Sequence, residues 1–369
     1  MSMEGPRDPS RRSVLKGIAG VAAGAALGAA GAIPKPEEEV PSIYSKHMKE
    51  GGMEKTARNS FDRQFANKER IETAGGTAEV VDIHPEHAKN DVPVLFAPAW
   101  ACTLPVYKPA LETLVKEGRR TVSLNHPRTG GSMQLTEEEQ TLVGTYPTAE
   151  VRKAKTLLDI VHHKQLGQLD AIAHSEGAVN VAIAALLEPE KFRNIVFFGP
   201  AGLIGEDTLS RLMQGFAAQG AEKPTLREIP VSEEAKQAAE ERGQVAIAYP
   251  AIEATDVSKA VGAAANREAP WYMAKNPVRA FSEGWALSQV QIHDLIAKLH
   301  EKGIGIVIMS GVDDSVFPTE KMATFLRKGT IDGFLSVRGG HGQIGETPER
   351  YMVAAEQMLE ALERKRSAR

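Results

Sequence analysis

Four short runs along the chain are apolar at nearly every position: "VPVLFAPA" (92–99), "LDAIAHS" (169–175), "NIVFFGPAG" (194–202) and "GIGIVIMSG" (303–311). They are too short for helices, and unbroken apolarity suits strands covered on both faces, as in a parallel sheet. "RRTVSLNHP" (119–127) and "GFLSVRGG" (333–340) are two further strand candidates, and "ERIETAGGTAEVVDI" (69–83) reads as a hairpin turning at Gly75-Gly76. Helical patterns lie between the runs. "VYKPALETLVKEG" follows the first, "AEVRKAKTLLDIVHHKQL" precedes the second, and "TPERYMVAAEQMLEALERKR" closes the chain. In the last, Tyr351, Ala354, Met358, Leu359 and Leu362 form an apolar stripe at helical spacing. Alternation of strand and helix predicts an α/β fold with a mostly parallel central sheet and helices on both faces. Chemistry in such sheets gathers at the carboxyl ends of the strands.

The span 207–300 has no convincing strand, and stretches such as "EEAKQAAEERGQVAIAY" and "SEGWALSQVQIHDLIAKLHEKG" read as helices inserted into the sheet domain. This divides the body into a core first part at 69–206, a helical insertion at 207–300 and a core second part at 301–369. The start of the chain follows a different order: basic "SRRSVLK", then "GIAGVAAGAALGAAGAI", then Ala30-Gly31-Ala32 as a small-residue cleavage site. Residues 1–32 resemble a twin-arginine export signal, which implies delivery by the export machinery to the periplasm or exterior, with possible tethering by an uncleaved signal; a cytoplasmic protein with an Ala/Gly-rich leader is the alternative. Residues 33–68 are a linker, beginning with "PKPEEEVP", and a surface helix or extended arm.

Composition narrows the classes. A net charge of −4 gives no field that would attract nucleic acid or an anionic membrane. The single cysteine, Cys102, excludes an intramolecular disulfide and a cysteine-based zinc site. His84 and His87 lack an evident third ligand, and the adjacent His162 and His163 point in different directions from a helix, so no metal is expected.

Three residues sit immediately after separate strand candidates. Ser175 ends "LDAIAH" and opens a helix. It is either a nucleophile on a sharp strand-to-helix turn, where the second residue on each side must be small (Ala173, Gly177), or an N-cap serine. Asp314, in "SGVDDSVFP", could fix the tautomer of a catalytic histidine, with Asp313 as its rival and a capping role as the plain alternative. His341 lies in the glycine-rich "RGGHGQ" before the last helix. A Ser, Asp, His order with each member after its own strand is the order of the α/β-hydrolases.

With these motifs the chain resembles the α/β-hydrolase superfamily, in its lid-bearing serine esterase-like branch, from about residue 75 to the C-terminus. "AHSEGA" matches the nucleophile elbow, with Ala173 where glycine is commoner. "SGVDDSVFP", counted from Gly311, selects Asp314, and "GGHG" matches the histidine loop. "FAPAWACTLP" looks like the oxyanion segment, with Pro98-Ala99 where the family has His-Gly. The resemblance implies an acyl-enzyme hydrolase of esters or related acyl compounds, with Ser175, Asp314 and His341 as triad and the backbone N–H groups of Glu176 and Trp100 as oxyanion donors. It implies a small-molecule acyl substrate and no cofactor, and makes 207–300 a helical lid in which Trp271, Tyr272, Phe281 and Trp285 are candidates for a substrate wall. Carbon–carbon bond hydrolases, perhydrolases and aminopeptidases of this superfamily share the triad. A non-catalytic ligand- or partner-binding protein on the same fold is the alternative from another class. Oligomeric state is open.

Overall fold

The computed structural model describes residues 59–127, 131–205, 207–221, 256–323, 330–337 and 339–367. The signal segment, most of the linker and arm, and residues 222–255 of the insertion lie outside the described residues. Eight strands form one sheet: β1 (Glu69–Thr73), β2 (Gly76–Ile83), β3 (Val94–Ala97), β4 (Thr121–Asn125), β5 (Leu169–His174), β6 (Phe192–Phe198), β7 (Gly305–Gly311) and β8 (Gly333–Val337). The spatial order is β1-β2-β4-β3-β5-β6-β7-β8. The first two strands are the hairpin read from the sequence, closing on Thr73 opposite Gly76. β2 also runs antiparallel to β4, and every other pairing is parallel.

The sheet shows why the strand runs are unbroken. Successive side chains point to opposite faces, and here both faces are covered. Leu95, Ala97, Ile195, Phe197, Ile306 and Ile308 join one buried cluster, while Val94, Phe96, Val196, Phe198, Val307 and Met309 join the other. Helices Thr148–His163, Glu176–Leu187 and His293–Glu301 line the first face; Ser60–Ala66, Leu104–Lys116 and Pro348–Ser367 line the second. In the closing helix Tyr351, Ala354, Leu359 and Leu362 are buried and Met358 is half-buried, as its stripe requires. The arm enters the fold at Ser60–Ala66. Asn59 caps that helix by accepting the Asp62 N–H at 2.7 Å, and Phe61 stacks on Phe65.

Between β6 and β7 the described elements are helices: Leu209–Ala221, Asp256–Lys275, Pro277–Gln289 and His293–Glu301. The first three lie over the carboxyl edge of the sheet. Their inward side chains meet the loops that follow β3, β7 and β8.

Candidate active site

β5 ends at His174 and the helix Glu176–Leu187 begins two residues on, so one residue makes the whole turn. Ser175 does this at φ 55° and ψ −117°, a backbone state that a non-glycine residue holds only when its surroundings over-determine it. They do. The Ser175 N–H donates to the Phe198 carbonyl at 2.9 Å, and the Ser175 carbonyl accepts from Ala178 (3.1 Å) and Ala201 (3.2 Å). Gly177 is dictated by space: a Cβ there would stand 2.5 Å from the Ala97 carbonyl oxygen. Ala173 meets no such wall. It pairs with Ala97 on one side and Phe197 on the other, and its methyl lies in the core.

The cap reading of Ser175 does not describe its side chain, which makes no bond to its own helix. The hydroxyl instead donates to His341 Nε2 at 2.9 Å. His341 Nδ1–H donates to Asp314 Oδ2 at 2.8 Å. Asp314 Oδ1 accepts the backbone N–H groups of Val316 (2.9 Å) and Phe317 (2.7 Å), so both carboxylate oxygens are aimed. The neighbouring Asp313 sends its N–H to the Gly339 carbonyl, and it is Asp314 that meets the imidazole. The three residues picked from separate strand ends thus meet within hydrogen-bonding distance.

Several supports were not picked from the sequence. Gly199, after β6, has φ 47°, and a Cβ there would sit 3.1 Å from His341 Nδ1 and 3.2 Å from Asp314 Oδ2. Its signal was present, a glycine straight after an apolar run. Gln219, on Leu209–Ala221, accepts the His341 N–H at 2.9 Å, and Phe216 of the same helix turns its ring to both His341 and Trp100. His174 packs beside the turn and joins two loops. The Ala99 N–H donates to the Tyr107 hydroxyl (3.0 Å), that hydroxyl to His174 Nδ1 (2.8 Å), and His174 Nε2–H to the His341 carbonyl (3.1 Å). Burial, reinforced by the neighbouring His341, holds His174 well below the usual histidine range, so it stays neutral in this chain.

The two residues proposed to supply oxyanion N–H groups frame a buried charged cluster. Glu176 opens the helix, where its N–H has no partner within the helix. Its carboxylate is buried and accepts from Lys153 Nζ at 2.6 Å. Trp100 is followed by Ala101 at φ 58°, and its indole Nε1–H donates to Glu283 Oε2 at 3.1 Å. Glu283 also accepts from Arg279 Nε at 2.9 Å and from the Tyr272 hydroxyl, and lies 3.5 Å from Lys153 Nζ. Burial alone would raise the Glu283 carboxyl, but Lys153, Tyr272 and Arg279 outweigh it and bring it down to about 2. Burial likewise opposes charge on Lys153, and the carboxylates of Glu176, Glu150 and Glu283 hold it above the ordinary lysine range. Burial pushes the Cys102 thiol, in the same loop as Trp100, up to about 12, which removes the thiolate that alkylation needs.

A cavity of about 40 Å³ lies against this cluster, bounded by Ala99, Cys102, Lys153, Glu176, Arg279 and Glu283 among others. Of the four aromatic candidates for a substrate wall, Tyr272 reaches it. Trp271 lies under the Lys275 ammonium at 4.7 Å, Phe281 is half-buried, and Trp285 is 51% exposed on the outer face of its helix. Charged and polar side chains, rather than the expected aromatics, dominate the lining. The reason is helical phase: Ala280, Glu283 and Leu287 take the inward positions of Pro277–Gln289, which turns Trp285 outward. His162 and His163 each pair with a different carboxylate, Glu188 and Glu69. Among the described residues no three side chains gather as metal ligands.

A model of the alpha/beta hydrolase fold matches residues 92–238. No curated protein matches the chain in sequence. Among solved structures, the chain is similar to a thermophilic esterase from Thermogutta terrifontis, with 15% identity, TM-score 0.51 and coverage of 80% of this chain and 99% of that one. It is similar to a structure from a study of carboxylesterases of the thaumarchaeon Nitrososphaera gargenis, with 14% identity, TM-score 0.52 and coverage of 80% and 100%. It is also similar to a membrane phospholipase A described as a bacterial virulence factor, with 13% identity, TM-score 0.52 and coverage of 80% and 86%. At these identities the likeness is one of fold: the chain has the α/β-hydrolase fold.

Proposed function

We propose that the protein is a serine hydrolase that cleaves ester or related acyl bonds of a small-molecule substrate through an acyl-enzyme. The observation that carries this reading is the continuous path from Ser175 Oγ to His341 Nε2 (2.9 Å) and from His341 Nδ1 to Asp314 (2.8 Å). In the first step His341 takes the Ser175 proton while Oγ attacks the carbonyl carbon, and Asp314 keeps Nδ1 protonated and stabilises the imidazolium. The tetrahedral oxyanion faces the N–H groups of Glu176 and Trp100; one such donor is worth about 2.7–4 kcal/mol. His341 then protonates the leaving group. Water, deprotonated by the same nitrogen, attacks the acyl-enzyme and restores Ser175. Every proton is handled by a group in place, so the mechanism calls on no cofactor.

The helices inserted between β6 and β7 serve in this reading as a lid. Ser175 and His341 are buried beneath them, so substrate entry requires part of the insertion to move. The leader, which resembles a twin-arginine signal, supports export of the folded enzyme. The test of the hydrolase reading is a fluorophosphonate probe. Wild-type protein is expected to be labelled at Ser175 and Ser175→Ala to remain unlabelled with an unchanged melting temperature. Folded wild-type protein that resists the probe and turns over no p-nitrophenyl acetate would favour a ligand-binding protein on this fold.

A further inference from the structure

The charged cluster beside the nucleophile joins the two oxyanion residues to each other. Starting at Trp100, the indole N–H reaches Glu283 (3.1 Å), Glu283 lies 3.5 Å from Lys153, and Lys153 bonds Glu176 (2.6 Å). All four residues are buried. The path crosses four separate elements: the loop after β3, the inserted helix Pro277–Gln289 that carries Glu283, the helix Thr148–His163 that carries Lys153, and the helix Glu176–Leu187 that Glu176 opens. The inserted helix packs closely on Trp100 at Gly284, whose added Cβ would reach van der Waals contact with the Trp100 ring at 3.4 Å. Arg279 and Tyr272 hold Glu283 from the other side, and Arg279 also donates to the Pro127 carbonyl at 2.8 Å.

An oxyanion hole works only if its two N–H groups stand at a fixed separation before charge develops. Glu176 is fixed by the turn at Ser175. Trp100 lies on a loop, beside a residue in left-handed backbone, and loops hold geometry less well than strands and helices do. We propose that Lys153 and Glu283 form a brace that sets Trp100 against Glu176, which makes Glu283 a positioning residue of the oxyanion hole supplied by the inserted helices. The proposal rests on the acyl-transfer reading above. It implies that the oxyanion hole is complete only while Pro277–Gln289 is docked, so an opened insertion admits substrate to an enzyme that does not yet stabilise the transition state. The Glu283 carboxylate, brought down to about 2 by its cationic and hydroxyl neighbours, stays ionised throughout the working pH range.

The experiment compares wild type, Glu283→Gln, Lys153→Met and Trp100→Phe, the last of which removes the indole N–H and keeps the backbone donor. Each is assayed with p-nitrophenyl acetate and for inhibition by phenylboronic acid, which Ser175 would attack to form a tetrahedral mimic of the oxyanion. A misplaced donor is expected to lower kcat about 10- to 100-fold, leave KM within about twofold, and weaken the boronic acid by a factor similar to the loss in kcat. Glu283→Gln combined with Trp100→Phe should cost little more than either alone, because the two break one link. A merely structural role would lower the melting temperature and leave kcat per active site, counted by fluorophosphonate titration, at the wild-type value; that result overturns the brace. A rise in KM with unchanged kcat also overturns it, by making Glu283 a substrate contact. Trp100→Phe alone, with wild-type folding, decides the matter if the charge variants fail to fold. Wild-type protein that neither labels nor turns over overturns the hydrolase reading and the brace with it.

Discussion

Two buried ion networks sit at opposite edges of the same sheet. At the amino edge the Arg119 guanidinium bonds Asp170 at the start of β5 and lies 3.3 Å from Glu356 of the closing helix; Asn194 of β6 donates to Asp170 at 3.0 Å. At the carboxyl edge Lys153 joins Glu176 and Glu283. Both networks work against desolvation, which makes neither of them simple evidence for stability. What separates them is what they hold. The amino-edge network ties side chains of strand ends to a packed helix, far from any nucleophile. The carboxyl-edge network holds the two residues proposed as oxyanion donors, beside a residue strained to φ 55°. The contrast follows from geometry: parallel strands direct their carboxyl ends, and the helix N-termini that follow them, to one side, so charge placed there acts on a bound group. Charge at the other edge acts only on the fold.

Substitutions at each edge test that division. The largest expected effect lies at the carboxyl edge. Asp314→Asn keeps the volume and the backbone bonds of the turn but leaves His341 in the wrong tautomer; kcat should fall about 10⁴-fold with little change in melting temperature. Asp313→Asn should remain near wild type, because Asp314 is the residue bonded to the imidazole. Equal losses in the two variants, read by p-nitrophenyl acetate turnover per folded protein, would break the assignment. At the amino edge Arg119→Met removes the guanidinium bonded to the buried Asp170 carboxylate and leaves it Arg193 Nε at 3.5 Å. Removing one partner of such a pair typically costs about 3–5 kcal/mol, to be read by urea unfolding, while turnover per fluorophosphonate-titrated site stays at the wild-type value. A fall in turnover per titrated site would mean that the amino edge also reaches the chemistry.

The same contrast explains what could be read from the sequence. Strand runs were legible because both faces of the sheet are covered, so burial wrote itself as continuous apolarity at 94–97, 169–174, 192–198 and 305–311. Ser175, Asp314 and His341 were legible because each follows such a run. Lys153 and Glu283 were not picked, although each carries a signal of another kind: a charge on the buried stripe of a helix. Lys153 lies between Glu150, Ala154 and Leu157, and Glu283 between Ala280 and Leu287, at helical spacing among buried residues. A charged residue on an apolar stripe has to find a partner, but the partner comes from another element, and no pattern along one segment names it. Three of the four aromatic candidates lie away from the cavity for a related reason. Trp271 and Trp285 stand out by residue type, whereas helical phase turns Trp285 toward solvent and leaves Trp271 under Lys275. The resemblance pointed to residues; the electrostatics that position them depend on contacts between elements.

The finest separation of the two edges is by pH. Glu356 lies close to Arg119, yet among the described residues its Oε2 and Arg119 Nε make no hydrogen bond. Burial therefore outweighs the attraction of Arg119 and raises Glu356 from 4.5 to about 7. A carboxyl raised in the folded state binds its proton more tightly there than in the unfolded chain. Between about pH 4.5 and pH 7 the folded state then holds more protons, and its stability falls as pH rises through that window. The Glu283 carboxyl, brought down to about 2, has the opposite sign: its contribution is present above the ordinary glutamate range and is lost as pH falls toward 2. Glu356→Gln should remove the first dependence and leave the second, flattening the loss of unfolding free energy from pH 5 to pH 8 by about 1–3 kcal/mol, with the decline below pH 4 retained. Chemical denaturation of the two proteins across pH 3–8 reads both limbs at once. An unchanged slope above pH 5 would show that Glu356 is ionised throughout, as a firm partner of Arg119. The amino-edge network would then be as tightly paired as the one that braces the oxyanion residues, and the edges would differ only in what their charges hold in place.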